Sequence, residues 1–169
     1  PDSAIVLAQH ALYLARHIKY IEGESRSLGV LANCFLKIGN YPKALELYLD
    51  KLKIEEGRNT PRNLASVIMN IGIVYVFQEQ YEKALTYYYK ADSVIEANNV
   101  EELKYNSALN IGDVYNRLNI NDSAFIYFKK SLSLANQLKN DDYTGASLVG
   151  IGHTLMKQQR YYPALMNYR

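Results

Sequence analysis

Hydrophobic residues recur along this chain with the period of an α-helix. Between residues 64 and 95 they fall at Leu64, Ile68, Ile71 and Tyr75, and then, after a short break, at Ala84, Tyr88, Ala91 and Ile95. Steps of three and four place each group on one helical face. Sustained alternation with a period of two is absent, so no strand is expected. The breaks are short and polar. "IGNYP", "QEQY", "LNIND" and "KQQRYYP" separate two kinds of helical stretch, and "EGRNTPR", "ANNVEE" and "LKNDD" separate one pair from the next. The pattern predicts nine helices, over about 1–19, 25–38, 41–56, 62–78, 81–97, 101–118, 121–138, 141–158 and 161–169. Pro42 falls where the first turn of a helix tolerates proline. Asn40 and Asn121 stand where a side-chain cap is expected.

The stretches themselves repeat. A shift of forty residues aligns "LANCFLKIGNYPKALELY" (31–48) with "IGIVYVFQEQYEKALTYY" (71–88), "IGDVYNRLNINDSAFIYF" (111–128) and "IGHTLMKQQRYYPALMNY" (151–168) without a gap. A partial copy opens the chain, where "DSAIVLAQHALYLA" (2–15) aligns with "DSAFIYFKKSLSLA" (122–135). The first helix of each unit carries a small residue, Ala32, Gly72, Gly112 or Gly152. Three residues later comes Phe35, Tyr75, Tyr115 or Leu155. The second helix carries Ala4, Ala44, Ala84, Ala124 and Ala164, followed after four residues by Ala8, Tyr48, Tyr88, Phe128 and Tyr168. One hairpin cannot bury its apolar stripe alone, so neighbouring units must complete the core. Residues 1–24 read as the second helix of a partial unit, 25–64, 65–104 and 105–144 as full units, and 145–169 as a further partial unit. Both ends divide a unit, which is the pattern expected of a fragment of a longer array.

Composition changes this picture little. The chain has 169 residues, 49% hydrophobic and 21% charged, enough for one ordered array. Lysine and arginine exceed aspartate and glutamate by only two, which gives neither a nucleic acid nor a membrane surface an electrostatic footprint. Sixteen tyrosines are the unusual feature, and the repeat assigns at least half of them to packing, Tyr41, Tyr75, Tyr81, Tyr88 and Tyr115 among them. The single cysteine, Cys34, lies in an apolar run and is expected to be buried. Neither a signal segment nor an apolar run of ~20 residues is visible; a cytoplasmic location is the default, and a periplasmic one would suit a membrane-anchored sensor.

These residues resemble the tetratricopeptide repeat. That signature appears here as Ile71-Gly72, Tyr75, Tyr81, Ala84, Tyr88 and Ala91. The resemblance covers essentially the whole chain. The unit is 40 residues rather than the usual ~34, and Glu56, Glu96 and Asn136 stand where a closing proline is usual. It implies an all-α, right-handed α-solenoid of stacked antiparallel helix hairpins. Longer units of this kind resemble arrays in scaffold proteins and in bacterial histidine kinases or transcription regulators.

Candidate chemistry is absorbed by the same scheme. His10 and His17 lie two helical turns apart, and the sequence has neither HExxH nor a cysteine–histidine cluster. "GIGH" (150–153) falls inside a repeat helix. Asp141-Asp142 opens a helix, where carboxylates favour the dipole. "NDS" at 121–123 fits a glycosylation pattern but coincides with the expected Asn121 cap. In "YYY" (87–89), Tyr88 belongs to the core and Tyr87 and Tyr89 flank it, partly buried; a base-stacking role would also need a basic stripe. No nucleophile–base pair stands outside the repeat. The reading is a non-enzymatic module without metal or cofactor.

The resemblance implies that the first helix of each unit lines a concave groove. Facing away from the framework stripe are Asn33, Ile73, Asp113 and His153, which differ in chemistry while the framework does not. One turn on are Leu36, Val76, Asn116 and Met156, with Lys37, Phe77, Arg117 and Lys157 beside them; one turn earlier are Gly29, Met69, Leu109 and Val149. The expected partner is a protein or peptide segment with an apolar anchor and mixed charge. Of the family's carboxylate clamp, Asn33 and Asn70 match, but Gly29, Asn106 and Asn110 occupy the basic positions, so capture of a carboxyl terminus is not expected. Two further readings are a ligand-responsive sensory domain of a bacterial signalling protein, with its output module elsewhere, and self-association through exposed array ends.

Overall fold

A computed structural model describes residues 2–158. Eight α-helices follow one another: α1 (Asp2–His17), α2 (Ile21–Lys37), α3 (Tyr41–Glu56), α4 (Pro61–Phe77), α5 (Tyr81–Ala97), α6 (Glu101–Arg117), α7 (Asn121–Leu138) and α8 (Asp141–Lys157). The fold is an all-α repeat, and the described residues contain no strand. The ninth expected helix, 161–169, lies outside them, together with Ala164 and Tyr168. Helix α2 starts at Ile21, about one turn earlier than its hydrophobic pattern suggests. The early start places Glu22 and Glu24 in the first turn, where carboxylates favour the helix dipole.

The chain forms two compact units, one running to Tyr87 and the other from Tyr88. In the first, α1 packs on α2, α2 on α3 and α3 on α4. In the second, α6 packs on α7, α7 on α8, and α8 also touches α6. Joints of a few residues separate successive helices.

The repeated small residues are core residues. Ala32, Gly72, Gly112 and Gly152 are buried, and Ala44, Ala84 and Ala124 are fully so. Ala4 is the exception and is exposed. In the second unit Ala124, Phe128, Ile151 and Leu155 form a buried cluster, flanked by Leu109, Tyr115, Phe125 and Leu132. Phe128 reaches both neighbouring helices at glycine. A Cβ on Gly112 would lie 2.9 Å from its ring, and one on Gly150 2.5 Å from it. Tyr105 is buried against Tyr143, ring centroids 4.0 Å apart and nearly parallel, and its hydroxyl donates to the Tyr143 carbonyl.

The joints share a geometry that hydrophobic periodicity does not announce. Lys19, Gly39, Glu79, Asn99, Asn119 and Lys139 have positive φ, between 50° and 78°. At each, the amide of that residue donates three residues back and the next amide donates five back, as in Lys19 to Arg16 and Tyr20 to Ala15, or Asn119 to Asn116 and Ile120 to Tyr115. This is the Schellman closure, which satisfies the last carbonyls of a helix. It recurs at a spacing of twenty residues everywhere but between α3 and α4.

The joint between α3 and α4 departs from this pattern: no positive-φ residue occurs there. It is held instead by Glu55, whose side chain is fully buried. The Glu55 carboxylate accepts from the hydroxyls of Ser25 and Thr60, the latter at 2.8 Å, and pairs with Arg58 at 3.2 Å and Lys51 at 3.9 Å.

Of the two expected caps, one is found. Asn40 accepts from the Lys43 amide, with Pro42 in the first turn of α3. Asn140, which the pattern did not single out, caps α8 through the Tyr143 amide. Asn121 is not a cap. Ile120 holds that position and Asn121 is the first helical residue, its buried Oδ1 lacking a hydrogen-bond partner among the described residues. Cys34 is half-buried rather than buried. No described helix is long and apolar enough to cross a membrane.

Candidate functional site

In the second unit, first-type helices α6 and α8 flank a concavity of about 330 Å³. Five of the residues that the helical wheel turns away from the framework line it: Leu109, Asp113 and Asn116 from α6, and Val149 and His153 from α8. Asn110, Ala146, Gly150 and the Phe128 ring complete the lining. Phe128 belongs to the framework by sequence, and Gly150 lies two residues before the framework Gly152, so the wheel singles out neither: the Phe128 ring lines the concavity, and the glycine lets it come close.

The polar groups here differ in depth. His153 is exposed and Asp113 half-buried. The Asp113 carboxylate accepts from the Arg117 guanidinium at 2.7 Å, one turn along α6, and both side chains are nearly half exposed. Asn116 is 8% exposed, and its Oδ1 is buried with no hydrogen-bond partner among the described residues. A buried amide oxygen left in this state carries a desolvation cost on the order of 1–3 kcal/mol. Lys157 turns back to α6, donating to the Asn116 carbonyl and, at 3.0 Å, to Asn119 Oδ1. It closes the carboxyl end of that helix rather than reaching outward. Met156 is 49% exposed.

The equivalent positions of the first unit look different. Asn33 Oδ1 accepts from the Tyr48 hydroxyl at 2.6 Å, and burial pushes that phenol up to about 12. Lys37 is exposed, and Leu36, Ile73 and Val76 are half-buried. Met69 is buried, at 6% exposure, and serves the core. Phe77 is half exposed and stacks on Tyr41, ring centroids 5.7 Å apart. Tyr75 lies over Tyr87 at 5.3 Å. In the second unit the equivalent Tyr115 and Tyr127 stack at 5.7 Å, and a third ring, Tyr89, joins through hydroxyl contacts of 2.7 Å to Tyr115 and 3.2 Å to Tyr127.

The arrangement combines a partly apolar hollow, one buried acceptor, and a rim whose acid is paired with a base. Comparisons with known proteins agree with the repeat. No curated protein matches the sequence. Among solved structures, BtubC (BKLC) from P. vanneervenii superposes with a TM-score of 0.86 at 19% identity, over 98% of this chain and 70% of that one. Aspartyl phosphate phosphatase F from Bacillus subtilis gives a TM-score of 0.80 at 16% identity, over 97% of this chain and 52% of its own. A Rap protein complexed with competence and sporulation factor gives 0.80 at 13% identity, over 98% and 56%. The chain thus spans about half the length of the latter two. At these identities the likeness is one of fold. Sequence models described as tetratricopeptide repeat match residues 27–62, 65–98 and 105–138, well over half of the chain. With the forty-residue register and the buried small residues already in place, the chain belongs to the tetratricopeptide repeat family.

Proposed function

We propose that this chain is a non-enzymatic protein-interaction module, and that a segment of a partner protein binds against α6 and α8 at the Asp113–His153 concavity. The observation that carries this reading is the contrast between the two sets of positions. The framework repeats with little change, whereas the outward positions read Asn33, Ile73, Asp113 and His153. Around the last two lies an apolar hollow with polar groups at graded depth. A concave apolar site with a few fixed polar groups is the usual form of a recognition site. In the first unit, Asn33, Lys37, Ile73, Val76 and Phe77 form the corresponding outward face, with Phe77 its most exposed aromatic group.

Selection of random displayed peptides against the 169-residue chain tests this directly. Peptides should be recovered whose affinity falls at least about tenfold for an Asp113→Ala/His153→Ala variant with an unchanged melting temperature. Equal affinity for both proteins would exclude the concavity as the binding site.

A second reading, a ligand-responsive sensory domain, draws support from the Rap protein complexed with competence and sporulation factor, which shares this fold. It predicts a change in amide-exchange protection in α6 and α8 upon ligand binding, beyond the residues touched.

A further inference from the structure

The concavity between α6 and α8 contains one feature that a merely apolar hollow would not have. Asn116 lies more than nine-tenths buried and lines it, yet Asn116 Oδ1 has no donor among the described residues. The large apolar lining groups are Leu109 on α6, Val149 on α8 and the Phe128 ring from α7, and Asn110, Asp113 and His153 are the other polar ones. A buried acceptor without a donor is costly alone, and a ligand that supplies the donor removes that cost on binding.

The occupant therefore has to combine three properties. It must be largely apolar to cover Leu109, Val149 and Phe128. It must bring a hydrogen-bond donor to the depth of Asn116. It must also be neutral at that donor. A lysine or arginine would surrender its hydration, and the only carboxylate lining the hollow, Asp113, is already engaged by Arg117 at 2.7 Å. A second cation, Lys157, is also held close by, at the Asn116 carbonyl. An aliphatic side chain or a phenylalanine satisfies the first requirement but leaves Asn116 Oδ1 unpaired. Tyrosine and tryptophan satisfy all three, with an apolar ring and a neutral O–H or N–H at its far edge. The volume, about 330 Å³, lies at the lower end of the range for small-molecule sites and suits one such side chain.

Resting on the interaction reading above, we infer that this site takes a tyrosine or tryptophan side chain of the partner segment, its ring against Leu109, Val149 and Phe128 and its O–H or N–H donating to Asn116 Oδ1. Such residues supply much of the binding energy at protein interfaces when they fill a desolvated pocket. A site that bonds a hydroxyl also discriminates against the analogue that lacks it, because the partner group is left bare.

The test uses peptides selected from a random displayed library against the 169-residue chain, measured by isothermal titration calorimetry. Selected peptides should be enriched in one tyrosine or tryptophan. Changing it to phenylalanine should weaken binding about tenfold or more. Against Asn116→Leu that preference should vanish, the phenylalanine peptide binding as well as its parent. If Asn116→Leu does not fold, the peptide-side change measured on the unaltered protein still decides. Peptides that respond to Asp113→Ala/His153→Ala but bind equally well with phenylalanine, or through another anchor, would overturn the inference and leave the interaction reading standing. Recovering no peptide that responds to the Asp113→Ala/His153→Ala change would overturn both.

Discussion

Gly150 on α8 lies directly against the Phe128 ring of α7, so close that a Cβ on Gly150 would sit 2.5 Å from Phe128 Cε1. A glycine inside a helix ordinarily costs about 1 kcal/mol relative to alanine, so Gly150→Ala would stabilise an open helix. Here the ring must move first, and overpacking of this kind costs roughly 1–3 kcal/mol. Gly150→Ala should therefore lower the melting temperature, and Gly112→Leu, whose Cβ would lie 2.9 Å from the same ring, should lower it further. Differential scanning calorimetry checks both. In a Phe128→Leu background the penalty of Gly150→Ala should shrink, and an undiminished penalty would place its cause elsewhere.

Glu55 holds the joint between α3 and α4, and its contribution depends on pH. Burial pushes the carboxyl up, but the Ser25 and Thr60 hydroxyls and the charges of Arg58 and Lys51 outweigh it and hold the group below its ordinary value. A carboxyl depressed in the folded state stabilises the fold above its unfolded pKa, about 4.3, and that stability is lost as pH falls through the folded value. Urea denaturation should therefore show stability falling below about pH 4 in the native protein and falling less in Glu55→Gln. Glu55→Ala should cost roughly 3 kcal/mol near neutrality by leaving Arg58 and Lys51 without their buried partner.

Tyr48 gives the opposite dependence at the alkaline end. Burial raises its hydroxyl to about 12. An unfolded phenol ionises near 10, so the stability linked to Tyr48 is present below that pH and is lost as pH rises toward about 12. Absorbance titration near 295 nm should show a late-ionising group of tyrosines, Tyr48 among them with Tyr75, Tyr88, Tyr89 and Tyr105, that merges with the others in urea. Tyr48→Phe should reduce the late amplitude by one tyrosine, at a cost of about 1 kcal/mol for the bond to Asn33.

Lys157 fastens α8 to the end of α6 through the Asn116 carbonyl and Asn119 Oδ1. Lys157→Met should keep the side chain's apolar stem and lose those bonds. Hydrogen exchange should quicken at Leu118, Asn119 and Ile120, whose amides close that helix end, with a stability loss of about 1 kcal/mol. Unchanged protection at these amides would mean that the lysine is not part of the closure.

How much of this could be read in advance depends on what repeats. Ala44, Ala84 and Ala124 recur at a fixed spacing and are fully buried, so the core was legible from periodicity. Depth was not. Asn116 and Met69 occupy outward positions of the wheel, yet both are buried, because a wheel places a residue around one helix and knows nothing of the helix beside it. Lys157 and Asn33 read as outward groups for the same reason, and each engages a neighbouring helix. Phe128 carried the opposite error: its framework role hid that its ring also lines the concavity. A glycine two residues before the framework Gly152, where the other units have Val30, Asn70 and Asn110, was the one available signal.

The recurring helix joints bear on how this protein could be hardened against heat. Of the six left-handed positions, Gly39 is free of steric cost, and Asn99 and Asn119 are of the type that tolerates this conformation. Lys19, Glu79 and Lys139 are not, and each holds a strained backbone that glycine would relax by about 1 kcal/mol. Glycine at all three should raise the melting temperature by several degrees without changing any side chain of the concavity. The chain thus keeps an unused reserve of thermal tolerance in its helix joints, separate from the residues that line the concavity.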